Sequence, residues 1–164
     1  QTILSIAGDD GRDFTGVLIR HIFTPQQDLD MLLSDPYCSV GSDGAIGAMG
    51  GLLGDMVMNR SSYGYAPRFI EEYALQRKLL TLEEAVRKLT ALPADSAQLH
   101  DRGRLAPGMA ADLVVFDPEN LKDNSTDDAP QAYPSGINMV AVNGQIVLED
   151  GDHTQRVPGQ ILRI

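Results

Sequence analysis

Apolar and polar residues follow recognisable spacings along the first quarter of this chain. A short, nearly continuous apolar run over residues 17–23 is typical of a buried strand. Thr24 and Pro25 then have the features of an N-cap and a first helical position, and they predict a helix with a leucine-bearing face (Leu29, Leu32 and Leu33). A second strand is predicted over residues 37–41. Residues 17–43 therefore have the pattern of a parallel strand–helix–strand crossover.

The middle of the chain predicts a loop followed by helices. Residues 44–65 are rich in glycine and methionine and show little periodicity, so we expect a long flexible loop. The 3.6-residue spacing of Phe69, Ile70, Tyr73, Ala74 and Arg77 predicts a helix over residues 67–78. Thr81 and Glu84 match a capping box at the start of the next helix, whose apolar face is Leu82, Ala85, Val86 and Leu89. Residues 92–94 should break that helix, and a short one should follow to Leu99.

From Gly103 onward the pattern changes to β-structure. Strands are predicted over residues 112–116, 137–142 and 145–148. Asn143 and Gly144 form the strongest hairpin signal in the chain, because both residue types accept the positive φ of a tight turn. The segment 118–136 is a long polar connection, and the tail over 159–164 is a candidate for a last strand.

Composition and charge narrow the classes of partner. The chain has 164 residues, 43% of them apolar, and a formal net charge of −10, which would repel a nucleic-acid backbone. Its apolar runs all fall short of the roughly 20 residues of a membrane span. A single cysteine, Cys38, excludes an intrachain disulfide and is compatible with a reducing compartment. We therefore expect no nucleic-acid partner, no membrane partner and a cytoplasmic location.

Asp43 is the main candidate for chemistry. It follows a predicted strand, and α/β barrels hold their catalytic groups at the carboxyl ends of strands. A carboxylate there can accept a proton from an activated water and pass it to a leaving amine. A simple Ser-Asp-Gly turn explains the same residues on spacing alone, so both interpretations stay open. The three histidines (His21, His100 and His153) lack the paired spacing of metal ligands and are poor candidates.

Four stretches of the chain carry recognisable motifs: Gly41-Ser42-Asp43-Gly44, DRGRLAPGMAADLVVFDP over 101–118, Val142-Asn143-Gly144, and the closing stretch over 153–163. They resemble motifs of N-acyl-D-amino-acid deacylases (D-aminoacylases), which belong to the amidohydrolase superfamily. The resemblance runs from about Val17 to the end of the chain, as a C-terminal segment. The part around Ala111-Asp112-Leu113 is shared by many amidohydrolases and says little about the substrate.

The resemblance implies an α/β plus β fold. Residues 1–100 would form the C-terminal part of a TIM barrel, that is, its last strands and helices. Residues 101–164 would form part of a small β-sandwich domain. Because a complete barrel takes about 250 residues, the chain is expected to be a segment of a longer protein and to be inactive alone.

The resemblance also implies the site. Asp43 would be the general acid/base and a weak zinc ligand, with the other zinc ligands upstream of Gln1. Ser42 would contact the substrate, orient Asp43 or cap the following segment. Arg68, together with Tyr63, could bind a substrate carboxylate through its guanidinium group, and a solvated arginine on a helix is an equal alternative.

The implied reaction is metal-dependent hydrolysis of a linear amide. The substrate would be a small N-acyl-D-amino acid, released as a D-amino acid and a carboxylate. Two alternatives remain open: a non-catalytic β-domain that mediates assembly, including pairing with a second copy of the chain, and an amidohydrolase that acts on a cyclic amide or a dipeptide.

Overall fold

The computed structural model describes residues 24–42, 44 and 59–162. The predicted strand over 17–23 and the catalytic candidate Asp43 lie outside these residues. None of the helices in the described ranges is long and apolar enough to cross a membrane. The helices are α1 (Gln26–Ser34), α2 (Ser61–Phe69), a π-helical segment (Ile70–Gln76) that continues α2, α3 (Leu82–Leu89) and α4 (Ala91–Ser96). The strands are β1 (Leu113–Phe116), β2 (Ile137–Val142), β3 (Gln145–Glu149) and β4 (Asp152–His153).

Helix α1 confirms the predicted helix but starts one residue later at its cap. Pro25, not Thr24, holds the N-cap position, because its ψ of 147° is extended while its carbonyl already accepts bonds from the first turn. The apolar face is narrower than predicted: Leu33 is buried, whereas Leu32 is 51% exposed.

The predicted strand over residues 37–41 is wrong. This segment pairs with no strand in the described part of the chain, and the side chain of Tyr37 is 87% exposed. Its backbone bonds go elsewhere: the Val40 N–H donates to the carbonyl of Lys88 in α3 at 3.2 Å, and the Cys38 N–H donates to the carbonyl of Asp35 at 3.1 Å. The segment therefore lies along a helix, and a parallel crossover over 17–43 is not formed by the described residues.

Helix α2 begins inside the segment predicted to be a loop. It starts at Ser61, where the Asn59 side chain accepts a hydrogen bond from the Ser61 N–H at 2.9 Å. The prediction of a flexible loop is therefore wrong for residues 61–65. The spacing of apolar residues does not indicate that the Asn59 side chain binds the first N–H of this helix. Pro67 lies within the helix, and the chain continues into the π-helical segment over Ile70–Gln76.

The apolar core lies between α1, α2, the π-helical segment and α3. Phe69 and Tyr73 pack with their ring centroids 5.6 Å apart, as the predicted spacing required. Leu121 comes from the polar connection and completes the cluster from outside the helices. The buried members are Leu33, Phe69, Ile70, Tyr73, Ala74, Ala85 and Leu121.

The predicted capping box is half formed. Thr81 accepts a hydrogen bond from the Glu84 N–H at 3.2 Å, as expected of an N-cap. The Glu84 carboxylate does not return to the Thr81 backbone, because Arg87 binds it at 2.7 and 2.8 Å. The break between α3 and α4 falls at Thr90 rather than at residues 92–94, and Pro93 is accommodated in the first turn of α4.

The four strands form one antiparallel sheet in the order β1-β2-β3-β4 within the described residues. Strand β2 has the predicted bounds, and the Asn143-Gly144 turn is confirmed by φ values of +48° and +76°, as a type I′ hairpin requires. The tail is not a strand over residues 159–162, and Ile161 is 87% exposed.

Asp112 explains one of the recognised motifs structurally. Its carboxylate accepts a hydrogen bond from the Asn143 N–H at 2.8 Å and pairs with Arg102. Arg102 in turn donates to the Asn143 side-chain oxygen at 2.7 Å, and the Asn143 amide group donates to the Pro158 carbonyl at 2.8 Å. The motif around Asp112 therefore holds the β2–β3 hairpin against the chain that follows β4.

Candidate functional site

Ser42, the residue before position 43, takes part in two hydrogen bonds. The hydroxyl of Ser42 accepts a hydrogen bond from the Gly44 N–H at 3.0 Å and so bridges position 43. The Ser42 carbonyl accepts a bond from the Ser61 hydroxyl at 3.1 Å, which ties this turn to the start of α2. Ser42 therefore closes a serine turn around the catalytic candidate.

Tyr63 and Arg68, predicted to act together, face different neighbours. The Tyr63 hydroxyl accepts a hydrogen bond from the Gln131 side chain at 3.2 Å, which places it against the polar connection over 118–136. Arg68 is exposed and pairs weakly with Glu72, with 3.4 Å between Nε and Oε2. Residues five apart on a helix point about 140° away from each other. The structure therefore does not bring these two side chains together.

Arg68 borders a shallow groove next to α2 and the π-helical segment. The groove has a volume of about 370 Å³ and contains both signs of charge. Arg77, a basic residue of the groove, binds Asp30 through two hydrogen bonds of 2.7 and 2.5 Å. Its guanidinium also lies 5.1 Å from the ring centroid of Tyr73. Arg68, with its single long ion pair, is the more available cation. The lining residues are Arg60, Arg68, Glu71, Glu72, Gln76, Arg77 and Asp123.

A buried polar cluster around Asp123 was not found in the sequence. Arg60 binds the Asp123 carboxylate at 2.8 Å, and Ser125 donates to it from its hydroxyl at 2.6 Å and its N–H at 2.9 Å. Burial opposes the charged form, but the bonds from Ser125 and Arg60 outweigh it and lower the pKa of Asp123. The Asp123 N–H also donates to the Glu71 carboxylate at 2.9 Å. The cluster fastens the polar connection to α2.

Lys88 is the second feature that sequence reasoning missed. Its side chain is completely buried in α3, and its Nζ donates to the carbonyls of Asp35 and Cys38, the latter at 3.0 Å. The Glu84 carboxylate lies 3.7 Å from Nζ. A usable signal existed: Lys88 follows Ala85 by three positions and so lies on the face that the helix buries.

The zinc ligands that the resemblance implies, Asp43 and residues upstream of Gln1, lie outside the described residues. The described residues contain no group of three or more His, Cys, Asp or Glu side chains that could hold a metal ion. The His153 Nδ1 accepts a bond from the Gln155 N–H at 3.0 Å, and Cys38 is partly buried with its Sγ 3.6 Å from the Ser39 carbonyl.

Comparison with known proteins identifies the chain's relatives. A curated N-acyl-D-glutamate deacylase from Alcaligenes xylosoxydans xylosoxydans is 44% identical over 126 residues, which are 77% of this chain and 24% of that protein. A solved D-aminoacylase, studied for its binuclear metal center, matches with a TM-score of 0.76 and 33% identity, over 93% of this chain and 32% of the other. An N-acyl-D-glutamate deacylase from Bordetella bronchiseptica, complexed with zinc and a phosphonate mimic of the tetrahedral intermediate, matches with a TM-score of 0.67 and 36% identity, over 86% and 28% of the two chains.

These relatives confirm the resemblance to D-aminoacylases that the sequence motifs indicated. The chain spans between a quarter and a third of the length of the proteins that it matches. The sequence model of the amidohydrolase family matches residues 21–148, which is well over half of the chain. The chain therefore belongs to the amidohydrolase family.

Proposed function

We propose that the protein containing this chain hydrolyses the amide bond of an N-acyl-D-amino acid with an acidic side chain, releasing the D-amino acid and a carboxylate. The observation that carries the proposal is the similarity to N-acyl-D-glutamate deacylases, at 44% identity to a curated relative and 36% identity to a solved one. In this proposal residues 1–100 belong to a barrel domain and residues 101–164 to a β-sandwich.

Asp43 is proposed to be the general acid/base of this reaction. Amide hydrolysis requires a group that takes a proton from the attacking water and delivers one to the leaving amine. The hydrogen bond between Ser42 and Gly44 supports this role, because it ties the residues on either side of position 43 to each other. Zinc dependence is part of the proposal, with Asp43 as a weak ligand and the other ligands upstream of Gln1, as the resemblance implies.

Arg68 is proposed to bind a carboxylate of the substrate. Its guanidinium is exposed, and its single ion pair to Glu72 is long enough to yield to a better partner. Ser42 and Tyr63 remain proposed substrate contacts. Tyr63 faces Gln131 rather than Arg68, so it would contact a different part of the substrate.

The test is hydrolysis of N-acetyl-D-glutamate by the full-length protein, with its L-enantiomer as the substrate control. Asp43→Asn should lower kcat by about 100- to 10,000-fold, the range that general acid–base catalysis contributes. Asp128→Asn, which changes an exposed aspartate, is the matched control and should leave kcat unchanged. Retained turnover in Asp43→Asn would contradict the role of Asp43. No turnover of N-acetyl-D-glutamate by the unmodified protein would contradict the proposed function.

A further inference from the structure

The segment that leads to Asp43 is held on helix α3 by its backbone. Residues 35–42 are here named the approach segment. Lys88 Nζ donates to the carbonyls of Asp35 and Cys38, and the Lys88 carbonyl accepts from the Val40 N–H at 3.2 Å. One residue of α3 therefore binds the approach segment at three points, two of them through its side chain.

Arg87 and Glu84 complete the attachment. The Arg87 guanidinium donates to the Pro36 carbonyl at 2.5 Å, between the two carbonyls that Lys88 holds. Glu84 binds Arg87 and lies 3.7 Å from Lys88 Nζ, so its negative charge partly balances the buried ammonium. The approach segment thus rests on a charged cluster of α3.

The burial of Lys88 requires a physical reason. Its side chain is 0% exposed, and a buried ammonium is unfavourable unless hydrogen bonds and an opposite charge compensate it. An apolar residue of similar length could fill the same space in α3. It would leave the carbonyls of Asp35 and Cys38 without a donor, which destabilises their present arrangement. The main effect of Lys88 is therefore to stabilise the backbone conformation of the approach segment, rather than to fill space in α3.

The far end of the approach segment is also anchored. Ser42 accepts a bond from Ser61 of α2 at 3.1 Å, so the backbone before Asp43 is fixed to α3 first and to α2 afterwards. Only four residues separate Cys38 from Asp43. A small displacement at the Lys88 contact would therefore reach the carboxylate, and a displacement of about 1 Å can lower a rate by about 100-fold.

We propose that Lys88 is a positioning residue for Asp43: it fixes the backbone that carries the catalytic carboxylate without touching the substrate. This inference rests on the proposed function, in which Asp43 is the acid/base. It predicts that loss of the Lys88 ammonium changes the turnover step and the mobility of the approach segment, and leaves substrate affinity nearly unchanged.

The test is Lys88→Met in the full-length protein, which keeps the length of the side chain and removes its donors. Lys78→Met, at an exposed lysine, is the matched control. We expect kcat to fall by about 10- to 100-fold with KM within about twofold, and hydrogen exchange at the Val40 amide to become faster. A merely structural role would lower the melting temperature without this separation of kcat from KM. A folded Lys88→Met protein with unchanged kcat would overturn the proposal.

Arg87→Met keeps the proposal testable if Lys88→Met does not fold. Arg87 is 38% exposed, and its replacement removes the contact with the Pro36 carbonyl while Lys88 stays in place. We expect a smaller loss of kcat, about threefold, again with KM unchanged; a kcat equal to that of the unmodified protein would count against the proposal.

The proposed function fails separately, when the unmodified protein does not turn over N-acetyl-D-glutamate. The exchange measurement then decides alone: faster exchange at Val40 in Lys88→Met supports the role of Lys88 in fixing the segment, and unchanged exchange overturns it.

Discussion

Gly64 of α2 is the position where the smallest substitution should have a large effect on stability. A Cβ atom added there would lie 2.1 Å from Asp123 Oδ1, 2.6 Å from Asp123 Cγ and 2.9 Å from Ser125 Oγ. Asp123 cannot simply move away, because Arg60 holds one of its oxygens at 2.8 Å and Ser125 holds the other at 2.6 Å. Gly64→Ala must therefore displace the buried carboxylate or the helix that carries residue 64.

Two opposing effects determine the size of the change. Alanine favours a helix interior over glycine by about 0.5–1 kcal/mol. Overpacking a buried contact costs about 1–3 kcal/mol, and weakening a hydrogen bond to a charged group adds about 1.5–3 kcal/mol. The cost of the steric contacts exceeds the gain in helix propensity. We therefore expect Gly64→Ala to lower the free energy of unfolding by about 2 kcal/mol.

Thermal unfolding of the protein is the assay. A loss of 1 kcal/mol lowers Tm by about 2–4 °C for a chain of 150–250 residues, so Gly64→Ala should melt several degrees lower. Gly159→Ala is the matched control, because a Cβ there meets nothing within 4 Å. In an Asp123→Ala background the two contacts with Asp123 are gone and only the 2.9 Å contact with Ser125 Oγ remains, so Gly64→Ala should cost much less there than in the unmodified protein. A Tm for Gly64→Ala at or above that of the unmodified protein would refute the argument.

Two further predictions concern the helices. The hydrogen bond from Arg77 lowers the pKa of Asp30, so the stabilisation by this pair is present above the unfolded pKa of about 3.9 and is lost as the pH falls through the lower folded value. Asp30→Asn should therefore lower Tm at pH 7, and the difference should vanish in strong acid; a difference that persists there would contradict the pairing. Thr81→Ala should reduce the free energy of unfolding by about 1 kcal/mol through loss of the N-cap of α3, whereas Thr81→Ser should not, as measured by urea denaturation.

The parts of the fold that sequence reasoning found are those fixed by neighbours in the chain. The β2–β3 hairpin was predicted correctly because Asn143 and Gly144 together accept the positive φ values of its turn. The spacing of Phe69, Ile70, Tyr73 and Ala74 correctly predicted helical backbone over most of residues 67–78, and these four side chains are buried. Arg77, which follows the same spacing, is exposed. These signals need no knowledge of the rest of the chain.

The parts that were missed depend on residues distant in sequence. The approach segment makes its bonds to Lys88, about fifty residues further on, and no local pattern in residues 37–41 distinguishes this from a strand. Arg60 and Asp123 are 63 residues apart, and neither stands out in a polar stretch. The partner of a buried charged side chain is a group that the tertiary fold brings close to it. The periodicity of the sequence therefore does not predict which group that is.

In the candidate site, too, local motifs were informative and contacts between residues distant in sequence were not predicted. Asp43 was singled out by a short motif, and its role stays a prediction. The joint action predicted for Tyr63 and Arg68 came from their closeness in sequence, but helix geometry separates residues five apart, and the two side chains have different neighbours. Closeness in sequence is a poor guide to a shared site when both residues lie on one helix.

The contacts that stabilise this chain also fix the position next to Asp43. The Asp123 cluster holds Arg60 at the start of α2, and the next residue, Ser61, binds the Ser42 carbonyl. Lys88 holds the earlier part of the approach segment. Two polar attachments, each of which involves a buried charged side chain, therefore hold the residues that precede position 43. Because a buried charge tolerates displacement poorly, these attachments keep the backbone in one arrangement, which is what a precisely placed acid/base requires.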